Sequence, residues 1–460
     1  MYGGGLDWGN LTGALRWTRE LSPRAFAAVT LTASDYAFNV GADIQEGRGT
    51  DDAISARVRY QSGIWDLGAR LDLDLAAGSG HTVRLGGGAT VHRFTPGALS
   101  LTGEAAREGI AIDTLLGVSR TVGADLVAYA EDEWHVSERL QLALGLHGAV
   151  YTTGEYTYPS LEPRVSAAFQ VRPRLAVKAS AAITQQPLHL LTTGAGIGLP
   201  ADLWVPADSI GPQRGTQVAV GLAGSSPSGR TTWTLEGYWR DMRGLVAYRE
   251  GAAFTTPFDD WQELVVTGEG TSRGLELFVQ HRTDRLTTWL GYTLARTDRQ
   301  FDALNEGERF PFRYDRRHDV SAVALYQLSR FFDVSAAFVY GTGDAVTLPV
   351  AAYNGTRFHY GSLDNWIDSR YGEETTVYGP RNGHRLPAYV RLDLGTTWYF
   401  HRGPRPHALS LDVYNATNQK NPFLTMLGND YSREDGQYAK NLIGIALFPV
   451  LPTISYQFSF

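Results

Sequence analysis

Cysteine is absent from the 460 residues, and the net charge of −7 comes without any stripe of basic residues. Without cysteine there are no structural disulfides and no thiolate-bound metals. Without a basic stripe, a nucleic-acid partner is not expected. No uninterrupted apolar stretch reaches the roughly 18 residues of a membrane-spanning helix, which excludes such helices but leaves spanning strands of about ten residues open.

Aromatic residues and glycine are both plentiful, with 12% aromatic content and 51 glycines. This composition suits a curved sheet that carries aromatic girdles at two lipid–water interfaces. The hydrophobic content of 43% could instead fill several soluble cores. Composition alone therefore does not distinguish a membrane β-sheet protein from a soluble globular protein.

The last eight residues, TISYQFSF, alternate without exception between apolar and uncharged polar side chains. The apolar set is Ile454, Tyr456, Phe458 and Phe460. Successive side chains of a strand point to opposite faces, so lipid would cover the apolar face and a wet lumen the other. The last strand of a soluble antiparallel sheet alternates for the same reason, so that alternative stays open here.

The same alternation recurs along the chain, and in Trp65 to Leu75 every charged side chain falls on one face. Asp72 and Asp74 could suggest a calcium site, but Arg70 beside them favours a ladder of opposite charges. We therefore predict a polar, lumen-lining face and no metal or other cofactor. Its predicted charged residues are Asp66, Arg70, Asp72, Asp74, Arg164, Lys178, Glu236, Glu276, Arg391 and Asp393.

Along the chain, the connections between these predicted strands are short turns and long loops in alternation. Tight turns are predicted near residues 22–23, 78–80, 136–137, 172–173, 225–229, 283–285, 329–330 and 401–406, with mostly long loops between them. Short turns at one end and long loops at the other are typical of outer-membrane barrels. Counting segments predicts an all-β antiparallel transmembrane barrel with about 17 strands of about ten to fifteen residues.

Six stretches of the sequence resemble the barrel of TonB-dependent outer-membrane receptors. They are YAEDEWHVSERLQLALGLH from Tyr129, EPRVSAAFQ from Glu162, RGLELFVQHR from Arg273, FRYDRRHDVSAVALYQL from Phe312, LPAYVRLDLGTTWYF from Leu386 and LSLDVYNATNQKNPF from Leu409. The resemblance implies a location in the bacterial outer membrane and import of a scarce solute such as a siderophore, cobalamin, glycan or peptide. It also implies insertion by the barrel-assembly machinery, with Tyr456, Phe458 and Phe460 as the recognition signal.

The family's barrel has about 22 strands and a plugged lumen. Against that number, residues 1–460 are expected to form a single barrel domain that is incomplete at its N-terminus and lacks the plug. The opening residues, MYGGGLDWGNLTG, also lack the features of a signal peptide. We expect a fragment that would engage TonB only through the missing plug region.

Three tryptophans lie in predicted long loops among polar residues: Trp204, Trp261 and Trp366. Such rings could stack on a polar nutrient, although most loop tryptophans pack within their own loop. Other functions stay open as alternatives, namely a plugless passive porin and a soluble carbohydrate-binding β-protein. An outer-membrane hydrolase would need an acid–base or Ser–His pair on one face, and the sequence offers none, so we predict that the chain is not an enzyme.

Overall fold

The computed structural model describes the chain except residues 1, 47–53, 79, 106–109, 117–119, 193–201, 253–260, 355–373, 402–406, 433–436 and 459–460. The chain divides into two compact units. Unit 1 contains Met1–Gly194 and Pro200–Arg282, and unit 2 contains Ala195–Leu199 and Thr283–Phe460. No helix among the described residues is both long enough and apolar enough to cross a membrane.

Unit 1 is built almost entirely of strands. They are β1 (Tyr2–Ser22), β2 (Ala25–Glu46), β3 (Ile54–Gly78), β4 (His81–Ala105), β5 (Ile110–Leu116), β6 (Thr121–His135), β7 (Leu140–Thr153), β8 (Tyr156–Arg172), β9 (Leu175–Gln186), β10 (Leu188–Thr192), β11 (Asp202–Pro206), β12 (Gln213–Ser225), β13 (Thr231–Tyr248) and β14 (Val265–Arg282). A short 3₁₀ helix, Trp261–Leu264, precedes β14.

Unit 2 contains the remaining strands. They are β15 (Leu286–Gln300), β16 (Phe310–Pro311), β17 (His318–Ser329), β18 (Phe332–Gly341), β19 (Ala345–Val346), β20 (Pro349–Asn354), β21 (Glu374–Tyr378), β22 (His384–Arg385), β23 (Tyr389–His401), β24 (His407–Tyr414), β25 (Leu424–Ser432), β26 (Gln437–Ile445) and β27 (Leu451–Phe458). A single 3₁₀ turn, Asn305–Gly307, follows β15.

The long strands pair antiparallel, each with the next long strand along the chain. In unit 1 the order is β1, β2, β3, β4, β6, β7, β8, β9, β12, β13 and β14. In unit 2 it is β15, β17, β18, β23, β24 and β27. These eleven and six strands, counted over the described residues, confirm the predicted number of about 17.

Within each unit the predicted tight turns fall between consecutive long strands that pair antiparallel, so they lie at one end of that unit's strands, here called its short-turn end. The opposite, long-loop end of each unit holds its small strands and a described 3₁₀ segment, Trp261–Leu264 in unit 1 and Asn305–Gly307 in unit 2. One connection there is short, because Gly154, at a φ of 52°, lets β7 turn directly into β8. The predicted strand length of about ten to fifteen residues fits strands such as β6 and β7, with 15 and 14 residues, but is too short for β3 and β4, which each have 25.

The two faces of the sheet differ as the alternation predicts. On the apolar face Leu71 is 46% exposed, and Leu142 and Leu392 are partly exposed. A cluster of buried residues lies instead at the long-loop end of unit 1. It consists of Leu191, Leu203, Val205, Val246, Tyr248, Trp261, Leu264 and Val265. Apolar side chains left open along most of a sheet are what a lipid-facing surface requires.

Candidate functional site

The eight charged residues predicted for unit 1 do share one face, which we call the polar face. Paired residues on neighbouring strands point to the same side, and the register places them in continuous rows. One row runs from Asp74 through Arg84 and Glu131 to Arg164. A second row joins Lys178, Glu236 and Glu276. Asp66, Arg70 and Asp72 complete the set on β3.

Opposite charges within these rows form a ladder of ion pairs. Arg70 lies 2.7 Å from Asp72, Arg84 lies 3.4 Å from Asp74, and Arg164 lies 3.4 Å from Glu131. The arginine side chains are 58%, 52% and 43% exposed, so each pair contributes at most about 1 kcal/mol. The ladder thus gives the face its charge pattern more than its stability.

Lys178 and Glu236 line a depression of about 330 Å³ in the polar face, formed over small residues such as Ala143, Ser166 and Ala219. Among the described residues neither charged side chain takes part in an ion pair. Beyond Glu236 lies Glu276, directly opposite on β14. Among the described residues, this part of the face therefore carries charges of both signs that have no ion-pair partner.

A second charged cluster, which the sequence did not reveal, lies nearer the long-loop end. The His92 ring is only 5% exposed, and its Nδ1 lies 2.7 Å from Asp66 while its Nε2 lies 3.2 Å from Asp125. The imidazole thus links carboxylates from β3 and β6 across β4. Only Asp66 of the three was predicted, because the cross-strand register that brings them together is not visible in a single sequence.

A hairpin formed by β10 and β11 lies against the polar face. β11 contacts β3 and β4, while β10 contacts β13. In the sheet, β3 and β13 are separated by six other strands. The sheet of unit 1 therefore curves around the hairpin with its polar face concave. The Tyr158 hydroxyl, on that face, donates a hydrogen bond to the carbonyl of Asp208 just beyond β11.

The predicted loop tryptophans have different surroundings. Trp261 is 4% exposed and packs inside the loop core, so its ring is not available to a solute. Trp204 is only partly buried and is paired with Leu190 on the opposite side of the hairpin from buried Leu191 and Leu203. Trp366 lies outside the described residues.

His189 is fully buried at the base of this hairpin. Its Nδ1 lies 3.0 Å from the side-chain nitrogen of Gln213, which donates to it, and burial lowers the pKa of the ring to about 4. Burial also raises the pKa of the neighbouring Asp208 carboxyl. The packed hairpin therefore holds a neutral imidazole at neutral pH.

Acidification is expected to loosen the hairpin. A histidine released to water has its ordinary pKa of about 6.5, so below that pH the opened hairpin binds a proton that the packed one excludes. The packed form should lose about 1 kcal/mol by about pH 5.5 and about 3 kcal/mol by about pH 4. Hydrogen exchange of the β10 and β11 amides, corrected for intrinsic rates, measures this opening.

His189→Gln is the matched control, because its amide oxygen can still accept from Gln213. It should abolish the acid-induced opening. Any residual pH dependence should have the opposite sign, since the raised pKa of Asp208 favours the packed form in acid. An unchanged acid response in this variant would contradict the role of His189.

In unit 2 the predicted pair Arg391 and Asp393 also share a face, with 3.0 Å between Arg391 Nε and Asp393 Oδ2. The Arg391 guanidinium donates to the hydroxyls of Tyr389 and Tyr414 and lies over the Tyr414 ring, 4.8 Å from its centroid. Asp393 accepts from the backbone N–H of Asn415 at 2.9 Å.

Two buried polar residues organise the long-loop end of unit 2, and neither was singled out from the sequence as a site. Asp315 is 2% exposed and accepts from the Thr297 N–H at 2.6 Å while pairing with Arg385. Asn415 is 1% exposed. Both lie inside stretches that carried the family resemblance.

The C-terminal strand β27 pairs with β24 and keeps its apolar residues open. Ile454, Tyr456 and Phe458 are 75%, 57% and 57% exposed. Tyr456 and Phe458 stack with their ring centroids 6.1 Å apart, and the Tyr456 hydroxyl lies 3.2 Å from His407 Nδ1. Phe460 lies outside the described residues.

The family model "TonB dependent receptor-like, beta-barrel" matches residues 2–416. The chain is a TonB-dependent receptor β-barrel. This confirms the resemblance seen in the sequence and places the chain in the outer membrane, with the short-turn end expected on the periplasmic side. The family is one of receptors and transporters. No curated protein sequence matches the chain.

Solved structures of receptors share the fold of this TonB-dependent barrel. The ferric-catecholate import receptor Fiu of E. coli K12 is 13% identical with a TM-score of 0.58, covering 98% of this chain and 64% of its own. The siderophore receptor PiuA of Acinetobacter baumannii is 12% identical with a TM-score of 0.60, covering 98% and 65%. At such identities the likeness shows the fold alone.

A third solved structure is the pyoverdine receptor FpvA of Pseudomonas aeruginosa PAO1, bound to pyoverdine. It is 13% identical with a TM-score of 0.61, covering 98% of this chain and 62% of its own. This TonB-dependent barrel thus spans less than two thirds of the length of each of these receptors.

Proposed function

We propose that this chain forms the wall and loops of an outer-membrane receptor that imports a scarce nutrient. The family match over residues 2–416 carries this proposal. Among the nutrients expected from the sequence, a ferric siderophore is the best supported, because the solved relatives named above are siderophore receptors. Cobalamin, glycan and peptide are the other candidates.

The polar face supplies a surface suited to such a solute. Its ladder of ion pairs keeps the wall wet, and the depression at Lys178 and Glu236 offers unpaired charges. At the extracellular end, partly exposed Trp204 and Leu190 provide an apolar platform for stacking. The energised step would depend on a plug that contacts TonB, which lies outside the matched barrel region.

Binding to the purified chain in detergent tests this proposal. Tryptophan fluorescence should change saturably with ferric siderophores of one chemical type and remain unchanged with cobalamin, an oligosaccharide or a peptide. Trp204→Ala should weaken that binding several-fold, a loss typical of one aromatic stack, while Trp233→Ala, on β13 away from the hairpin, should leave it unchanged.

A passive porin is the alternative function, and the same preparation can reveal it. A steady wide conductance in a planar bilayer, together with no saturable binding to any of these solutes, would favour the porin. Saturable binding without such conductance favours the receptor.

We also propose that the barrel-assembly machinery recognises the C-terminal residues Tyr456, Phe458 and Phe460 and delivers the chain to lipid. Exposed, stacked rings on the final strand support this role. Phe458→Ala should reduce the amount of chain recovered in the outer membrane several-fold. Phe400→Ala, at a ring that is 56% exposed on β23, is the matched control and should have a smaller effect.

A further inference from the structure

The β10–β11 hairpin covers part of the polar face at the extracellular end. Near the middle of the wall that face is charged and wet, but next to the hairpin it becomes aromatic and dry. The side chains concerned are Phe38, Tyr60, Phe94 and Tyr151, exposed by 4%, 4%, 0% and 1%. Rings with so little exposure on an inward surface need a cover, and β11 is in contact with both β3 and β4.

Several contacts hold the hairpin in this position. Leu191, Leu203 and Val205 pack into the loop core with Val246 and Tyr248 of β13. The Tyr158 hydroxyl and the Gln262 amide both donate to Asp208 at the end of the hairpin. The hairpin is thus fixed to widely separated strands of the curved sheet, which a freely moving surface loop would not be.

We propose that this hairpin is an inward-folded barrier that narrows the extracellular end of the path along the polar face. A solute that reaches the Lys178 depression must pass beside the hairpin or displace it. The barrier belongs to the wall itself and is separate from any plug. The inference rests on the proposed transport function, but it concerns access to the wall and not solute identity.

The cysteine-free sequence allows a direct test by cysteine labelling. Ser62→Cys places a thiol on the polar face at a position that is 4% exposed, close to the hairpin-covered rings. Ser180→Cys is the matched control on the same face at an exposed position of β9. Both replace one small side chain by another, and a small water-soluble maleimide is applied to the purified, folded chain.

The hairpin can be removed cleanly at its base, because the Ala207 N–H donates to the Pro187 carbonyl at 2.6 Å. Replacing residues 188–206 by two glycines should therefore preserve the flanking strands. In the intact chain Ser62→Cys should react at least about tenfold more slowly than Ser180→Cys, as local opening limits access. Removing the hairpin should equalise the two rates.

Leu203→Asp in the full-length hairpin provides a second variant, should the deletion fail to fold. A carboxylate at this buried position should drive the hairpin off the wall and expose Ser62→Cys in the same way. Equal labelling of both sites in the intact chain would overturn the proposal, and so would continued protection of Ser62→Cys without the hairpin. Loss of siderophore binding with normal shielding would instead count against the proposed function.

Discussion

Replacing Asp315 by alanine is expected to lower the free energy of unfolding of unit 2 by about 3 kcal/mol. The carboxylate is almost fully buried, accepts from the Thr297 N–H and neutralises Arg385. Arg317 Nη2 also lies 4.0 Å away. Removing the carboxylate leaves the partly buried Arg385 guanidinium without its counter-charge and the Thr297 N–H without its acceptor, which costs far more than the pair contributes as a whole.

Asp319→Ala is the control, because Asp319 lies four residues away in the same DRRHD sequence. Its ion pair with Arg316 spans 3.9 Å, and the two side chains are 42% and 43% exposed. This variant should lose no more than about 0.5 kcal/mol. Urea unfolding of the detergent-solubilised chain, followed by tryptophan fluorescence, compares the two. Equal losses would show that burial of the carboxylate is not what matters.

The wall of this protein could be predicted from its sequence because alternation is a local property. In the segment from Trp65 to Leu75, the alternation alone assigns each side chain to a face, without reference to any other strand. In the structure Asp66, Arg70 and Asp72 do lie on one face of β3. Tight turns are local as well, since they depend on a few residues that permit reversal. Face and strand number thus followed from the sequence alone.

Contacts between strands could not be predicted in the same way. The link from Asp66 through His92 to Asp125 requires the register of three strands, and a shift of one residue would place His92 on the other face. Burial of Trp261 depends on its packing against Val246 and Tyr248 of β13, for which a single sequence has no signal. The candidate site was therefore predicted as a face, but not as a set of contacts.

Replacing Asn415 by alanine is expected to destabilise unit 2 by about 3 kcal/mol, through lost hydrogen bonds and backbone strain. The Asn415 side chain accepts from the Gln419 N–H at 3.0 Å and donates to the carbonyls of Gln419 at 3.0 Å and Phe448 at 3.2 Å. Its φ of 51° lies in the left-handed region, which asparagine tolerates and alanine does not.

Two glycine variants separate these contributions. Asn415→Gly relieves the strain but still loses the hydrogen bonds, so it should be about 1 kcal/mol more stable than Asn415→Ala. Asn418→Gly has the same φ of 51° but loses only a single exposed contact, from the Val450 N–H at 3.2 Å, and should cost about 0.5 kcal/mol. Urea unfolding ranks the three. If Asn415→Gly were as stable as Asn418→Gly, the buried amide would not be holding β24 and the segment before β27 together.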